Sequence, residues 1–217
     1  MEMSLIQKII IWALPVLFAI TVHEVAHGWV AMKFGDKTAF MLGRVTLNPI
    51  KHIDPIGTLL VPGILLALGG IVFGWAKPVP VVQRNLRNPR RDMALVAVAG
   101  PCANLLMALL WALVMKLGLW LGGVMPRYAI PVIYMGQAGI FINLMLMVLN
   151  LVPLPPLDGG RFVSCVLPPK IAYHYDKIEP FGFLILIILL ATKILAMILS
   201  PVIFYFWHLI SVLFQLG

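Results

Sequence analysis

One short run in the sequence, His23-Glu24-Val25-Ala26-His27, places three ionisable side chains inside an otherwise apolar stretch. In a helix turning about 100° per residue, the two histidines point within about 40° of each other and stand about 6 Å apart along the axis. Two imidazoles in that register can grip one zinc ion through ring nitrogens at about 2.0–2.1 Å. Glu24 projects to the side of such an ion, where it suits a base that takes a proton from metal-activated water. An ionisable group at bilayer depth costs roughly 2.5–3.5 kcal/mol on insertion scales, so three together need a common explanation, and a metal supplies one. The plainer alternative is a polar seam between helices.

Metal-assisted hydrolysis needs a third protein ligand and one position open to water. The acidic residues are Glu2, Glu24, Asp36, Asp54, Asp92, Asp158, Asp176 and Glu179. Asp158 stands out among them. It closes the run Asn150-Leu-Val-Pro-Leu-Pro-Pro-Leu-Asp158-Gly159-Gly160, in which an apolar helix meets prolines that cannot continue it, then an acid, then two glycines. The prolines stop the helix and the glycines let backbone approach closely. A simple interfacial turn is the competing reading, since Asp-Gly is a common turn dipeptide.

These residues must be carried by membrane helices. The chain has 217 residues, 62% of them apolar and 11% charged. A soluble domain is usually about 45–50% apolar and about 25% charged, and a water-exposed surface needs more polar residues than this chain holds. The composition excludes an ordinary soluble enzyme, a disordered regulator and a disulfide-stapled secreted domain. The length allows about five or six crossings of roughly 20 residues. Apolar runs occupy 4–34, 56–75, 93–116, 129–152 and 181–216, and Ser200-Pro201 divides the last into expected helices 181–199 and 202–216. The segment 56–75 is short and rich in glycine, and it reads as a re-entrant element. The expectation is a single integral-membrane domain over 1–217, with its core at about 4–165 and C-terminal helices at about 181–216.

Residues 9–22 resemble the apolar part of a signal peptide, but no small-residue cleavage site follows, and 4–34 reads as a retained helix. Lys33, Lys37, Arg44, Lys51, Lys77, Arg84, Arg87, Arg90, Arg91, Arg161, Lys170 and Lys177 fall on one side if 56–75 does not cross, leaving Lys8, Lys116 and Arg127 opposite. That asymmetry places the histidine end of the first helix toward the cytoplasm. The net charge of +8 then reflects basic loops rather than nucleic-acid binding, for which no motif is present. Cys102 and Cys165 form no CxxC pair and read as small buried hydrophobes. His52, His174 and His208 read as loop, surface and packed residues.

Taken together, His23–His27, the Asn150-x-x-Pro-x-x-x-Leu-Asp-Gly159 pattern and Ala99-Gly-Pro-Cys-Ala-Asn104 resemble the site-2 protease family of intramembrane zinc metalloproteases, peptidase family M50. The resemblance covers about residues 15–165. It implies an all-α polytopic membrane protein in which His23, His27 and Asp158 bind one zinc ion and Glu24 activates water. It further implies that Asn150 lies near substrate or the developing oxyanion and that Asn104, another polar position close to the site, is a second candidate for substrate or oxyanion binding; for both, the plainer alternative is an asparagine that hydrogen-bonds between helices. Gly74–Pro80 is similar to the family's membrane-associated loop, a short β-hairpin able to present an edge to an extended substrate. The implied substrates are single-span membrane proteins in the lipid bilayer, cut in or near the membrane, with no soluble cofactor. No inserted PDZ module or regulatory CBS domain is read in the chain. The rival function is a membrane metal-ion transporter using the HExxH pair, which would need further ligands on a facing helix.

Overall fold

The computed structural model describes residues 5–60, 74 and 76–216. Its helices are α1 (Leu5–Lys33), α2 (Thr38–Met41), α3 (Pro89–Gly122), α4 (Pro126–Asn150), α5 (Asp158–Val166), α6 (Pro169–Asp176), α7 (Glu179–Ala191) and α8 (Ile194–Phe214), and no strand occurs among the described residues. The chain is thus an all-α polytopic membrane protein. Four described helices are long and apolar enough to cross a bilayer: Ile9–Lys33 within α1, then α3, α4 and α8. Most of 56–75 lies outside the described residues, and the apolar α7, with 13 residues, is too short to span alone.

The break between the last two helices also lies elsewhere than expected. Pro201 sits inside α8, and the chain turns instead at Thr192-Lys193. Pro201 withholds a donor only from the Met197 carbonyl, a loss that bundled membrane helices tolerate. Thr192 closes α7 by donating its N–H and its hydroxyl to the Ile188 carbonyl, at 2.9 and 2.8 Å. Lys193 then takes a left-handed conformation, φ 61°, which no helix can continue.

The bundle core forms where α3 and α4 pack along their length and α8 closes on them. Ala108, Ala112 and Trp111 of α3 meet Ile140, Leu144 and Met147 of α4, with Leu199 and Ile203 of α8 in the same cluster. Small residues at the crossing let the backbones come close, which is how membrane helices gain packing without a hydrophobic drive. α1 lies across α3 and α4, and α5 returns against α3. α3 begins with Pro89 at its first position, and Asp92 accepts the Asn88 N–H at 2.7 Å, so the start is capped twice.

Two expectations fall between α2 and α3. The re-entrant element over 56–75 lies for the most part outside the described residues; its beginning, Pro55–Leu60, is a wide helical turn whose Ile56 and Gly57 N–H groups donate to Asp54. The expected short β-hairpin is not formed by the described residues. Pro78 and Pro80 lack N–H groups at alternate positions, so that edge cannot complete a ladder. Residues 76–88 instead form a largely irregular strap over the end of α1, with one 3-10 turn at Gln83–Asn85, and the N–H groups of Lys77, Val79, Val82 and Arg87 go to other parts of the chain.

Candidate metal and hydrolytic centre

His23 and His27 lie one helical turn apart on α1, their rings edge to face with centroids 4.7 Å apart. Each ring turns its Nδ1 outward. His27 Nδ1 donates to the Val96 carbonyl at 2.7 Å, and a carbonyl can only accept, so the proton sits on Nδ1. His23 Nδ1 lies 2.6 Å from Asn104 Oδ1. Asn104 spends its Nδ2 on the Ala19 carbonyl and on Asn143 Oδ1, so its oxygen is the atom facing the histidine. Both imidazoles therefore present an Nε2 lone pair inward. Asn143 completes the relay by donating to the Gly139 carbonyl at 2.8 Å. A network of this kind fixes ring orientation and tautomer in metal sites. Asn104 and Asn143 are both fully buried between the helices.

Packing at Gly100 makes room for this pair. A Cβ there would lie 2.4 Å from His27 Nε2 and 2.5 Å from His23 Cε1, so α3 can approach the histidines only as glycine. The third side chain arrives from α5. The segment after α4 folds back tightly, with Leu154 N–H donating to the Val152 carbonyl and Leu157 N–H to the Leu154 carbonyl. A Cβ at Gly159 would strike the Leu151 carbonyl at 2.3 Å, and one at Gly160 the Pro155 nitrogen at 2.4 Å. The two glycines thus let the proline-rich segment lie on the first turn of α5, which carries Asp158 to the histidines.

Asp158 Oδ2 is 3.2 Å from His23 Nε2 and 3.2 Å from His27 Nε2, and the two Nε2 atoms are 3.1 Å apart. All three residues are buried. Three electron-rich atoms converge with no proton assigned between them, and Asp158 Oδ2 has no hydrogen-bond donor. Such a cluster calls for a cation. Ligands of a tetrahedral zinc with bonds of about 2.0–2.1 Å stand about 3.3–3.4 Å apart, close to the spacing here, and two imidazoles with a carboxylate are a zinc donor set. The residues fit the ion. Among the described residues this is the group of His, Cys, Asp and Glu side chains able to hold a metal.

The triad opens into a cavity of about 130 Å³ that Glu24, Val79, Asn150 and Arg161 also line. Val79 N–H donates to Glu24 Oε2 at 2.7 Å, which fixes the carboxylate beside the triad. Asn150 is half-buried on the wall and donates Nδ2 to the Leu146 carbonyl at 2.9 Å. A larger apolar hollow of about 610 Å³ between α1, α4 and α8 is walled by Trp12, Phe141, Ile203 and Trp207, and it holds none of these polar groups. Size does not mark the reactive place in this molecule.

Sequence reading passed over the residues that hold the strap. Asp36, fully buried just beyond α1, accepts from Thr38 N–H and hydroxyl, from Val82 N–H at 2.6 Å and from Asn85 Nδ2 at 3.1 Å. Burial pushes its carboxyl up, but these donors outweigh burial and hold it below the ordinary carboxylate range. Arg44 Nη2 donates to the Lys77 carbonyl at 2.8 Å. A charged residue just past an apolar helix was the only signal in the sequence, and it is a common one. His52 is buried in the loop, its Nε2 2.9 Å from the Thr46 carbonyl and its own carbonyl accepting from Lys77 N–H.

The comparisons with known proteins agree with this geometry. The profile of Peptidase family M50 matches residues 11–123. "Putative zinc metalloprotease YwhC" of Bacillus subtilis (strain 168) is 38% identical over 196 residues, 87% of this chain and 83% of that protein. "Putative zinc metalloprotease Rip2" of Mycolicibacterium smegmatis (strain ATCC 700084 / mc(2)155) is 33% identical over 192 residues, 88% of this chain and 70% of that protein. No solved structure matches. With a histidine pair and a distant aspartate converging inside a bundle of apolar helices, and with relatives aligned over most of its length, the chain belongs to peptidase family M50.

Proposed function

We propose that this chain is an intramembrane zinc metalloprotease that hydrolyses peptide bonds in or near the transmembrane segment of single-span membrane proteins. The observation that carries the proposal is the convergence of His23 Nε2, His27 Nε2 and Asp158 Oδ2 within 3.2 Å of one another beside Glu24. These three residues would hold zinc, which would supply a Lewis acid for the carbonyl and for water. Glu24 would take a proton from the attacking water and return it to the leaving amine. Its Oε2 is engaged by Val79 N–H, which leaves Oε1 for the proton. Asn104 and the Val96 carbonyl keep both imidazoles in the tautomer that ligates. Asn150, on the cavity wall, offers an amide to the substrate backbone.

A scissile peptide must be extended, so substrates are helices able to unwind locally at Gly, Pro or Asn. The strap lies where such a segment would enter, beside Glu24. The excess of basic residues around this end of α1 supports a site toward the cytoplasmic side, and the reading takes the whole chain as one membrane domain.

The test is purified protein in vesicles with a single-span substrate. Cleavage should be abolished by a zinc chelator and restored by zinc. Glu24→Gln should keep zinc and lose cleavage. Fragments that persist without zinc, or full turnover by Glu24→Gln, would reject the proposal.

A further inference from the structure

A second hollow, about 550 Å³, lies beside the strap and shares Pro78 with the triad's cavity. Arg44, Lys51 and Lys77 line it, and Leu42, Ile50 and Ile53 form its apolar walls. Arg44 is the unusual member. It is 9% exposed, and its Nη2 donates to the carbonyls of Lys77 and Pro78. Its Nε has no acceptor, and among the described residues no carboxylate pairs with it. Asp54, the nearest acid in sequence to the lining residues, turns Oδ1 to the N–H groups of Ile56 and Gly57. A guanidinium so far out of water, met only by carbonyl dipoles, lacks the anion that would offset its desolvation.

The surface around the hollow indicates which anion. Phe40, Met41, Leu42, Leu47 and Ile50 are all exposed, Met41 at 75% and Ile50 at 72%. They follow directly on Lys33, where α1 leaves its apolar span. Facing water, such a patch would be a liability; lying in a bilayer interface, it is buried among headgroups and upper acyl chains. Cations and apolar walls in one hollow at that depth match a molecule with a phosphate at one end and hydrocarbon at the other.

We propose that the hollow formed by Arg44, Lys51, Lys77, Leu42, Ile50 and Ile53 binds the headgroup phosphate of an anionic membrane phospholipid, its acyl chain lying on the apolar wall. The site is coupled to the reactive centre through the strap. Arg44 holds the carbonyls of Lys77 and Pro78, and the next residue, Val79, holds Glu24. A phosphate on Lys51, Lys77 and Arg44 therefore braces the segment that orients the base. This coupling rests on the protease reading; the binding itself does not.

Binding is measured first, on the full chain in detergent, with phosphatidylglycerol, phosphatidylcholine and inorganic phosphate as separate probes. Saturable binding of phosphatidylglycerol, much tighter than either other probe, is expected. The double substitution Lys51→Gln, Lys77→Gln, at two exposed side chains, should weaken it about 30-fold. Glu24→Gln should leave it unchanged. Equal binding of phosphatidylcholine, an unchanged affinity in the double variant, tighter binding of inorganic phosphate, or tighter binding of an acidic peptide would each overturn the proposal. Cleavage in vesicles is measured second. It should be faster with phosphatidylglycerol than in phosphatidylcholine alone, and the double variant should lose that difference. Lipid binding without any cleavage would count against the protease reading only; cleavage without lipid binding would count against the lipid site only.

Discussion

The two sides of the reactive cavity are built by different means. On the side of the proposed metal ligands, His23, His27, Asn104, Asn143 and Gly100 all sit within long membrane helices, and their positions follow from how α1, α3 and α4 pack. On the opposite side the strap has no regular structure apart from one 3-10 turn at Gln83–Asn85. Bonds from single side chains, those of Asp36, Arg44 and Glu24, tie it in place. The difference separates two tasks. Holding an ion needs rigid geometry, which helix packing supplies. Admitting an extended peptide beside the base needs a segment that can yield without disturbing the ligands, and a few side-chain bonds can open at modest cost.

If that division is correct, substitutions on the helix side should cost zinc, and substitutions on the strap side should cost rate while zinc stays bound. The largest effect is expected from Asp158→Ala, which removes a ligand and should abolish both zinc retention, measured as bound metal per chain, and cleavage. Gly100→Ala should come next: a methyl placed 2.4 Å from His27 Nε2 forces helix or ring apart, with a stability cost of about 1–3 kcal/mol and loss of stoichiometric zinc. Glu24→Gln crosses to the other side; zinc should remain at one per chain while cleavage falls about 10²–10⁴-fold. Asn104→Ala, removing the acceptor at His23 Nδ1, should weaken zinc about 10–100-fold, read by competition with a chelator, without altering the strap.

The smallest effect is expected at Asp36. Its carboxyl lies below the ordinary range when folded, so its contribution is present in full above the unfolded value of about 3.9 and is lost as pH falls through the lower folded value. Local opening at Val79 and Val82, read as amide exchange relative to the intrinsic rate at each pH, should therefore be unchanged near neutrality and rise only in acid. Asp36→Asn should raise it at neutral pH and lower the cleavage rate with zinc retained. Loss of zinc in this variant would show that strap and triad are not separable.

Parts of this arrangement were legible in the residues themselves. Five positions of one helix determine that His23 and His27 share a face, because the register is local. The prolines and glycines after Asn150 announced a sharp change of direction that could present Asp158. The break at Thr192-Lys193 was not legible: a proline normally marks the weaker point, but Pro201 forfeits one hydrogen bond in a helix that still packs one face, with Leu195, Leu199, Ile203 and Ile210, on the bundle. Nor was the strap: Pro78 and Pro80 argue against a complete ladder, but nothing local says which distant acceptors the remaining N–H groups meet. The roles of Asn104 and Asn143 also depended on which polar atoms the packed helices bring into reach.

Amino-acid order by itself determined that the chain lives in a membrane, that its apolar runs become helices and that one of them carries a paired imidazole face, because hydropathy and helical period are properties of neighbouring residues. Only the tertiary structure decided that Asp158 reaches those imidazoles, that two asparagines set the tautomer of one of them and that Val79 steadies Glu24. Each of these joins residues far apart in the chain, and distances of that kind are set by the close approach of whole helices, down to the missing side chain at Gly100.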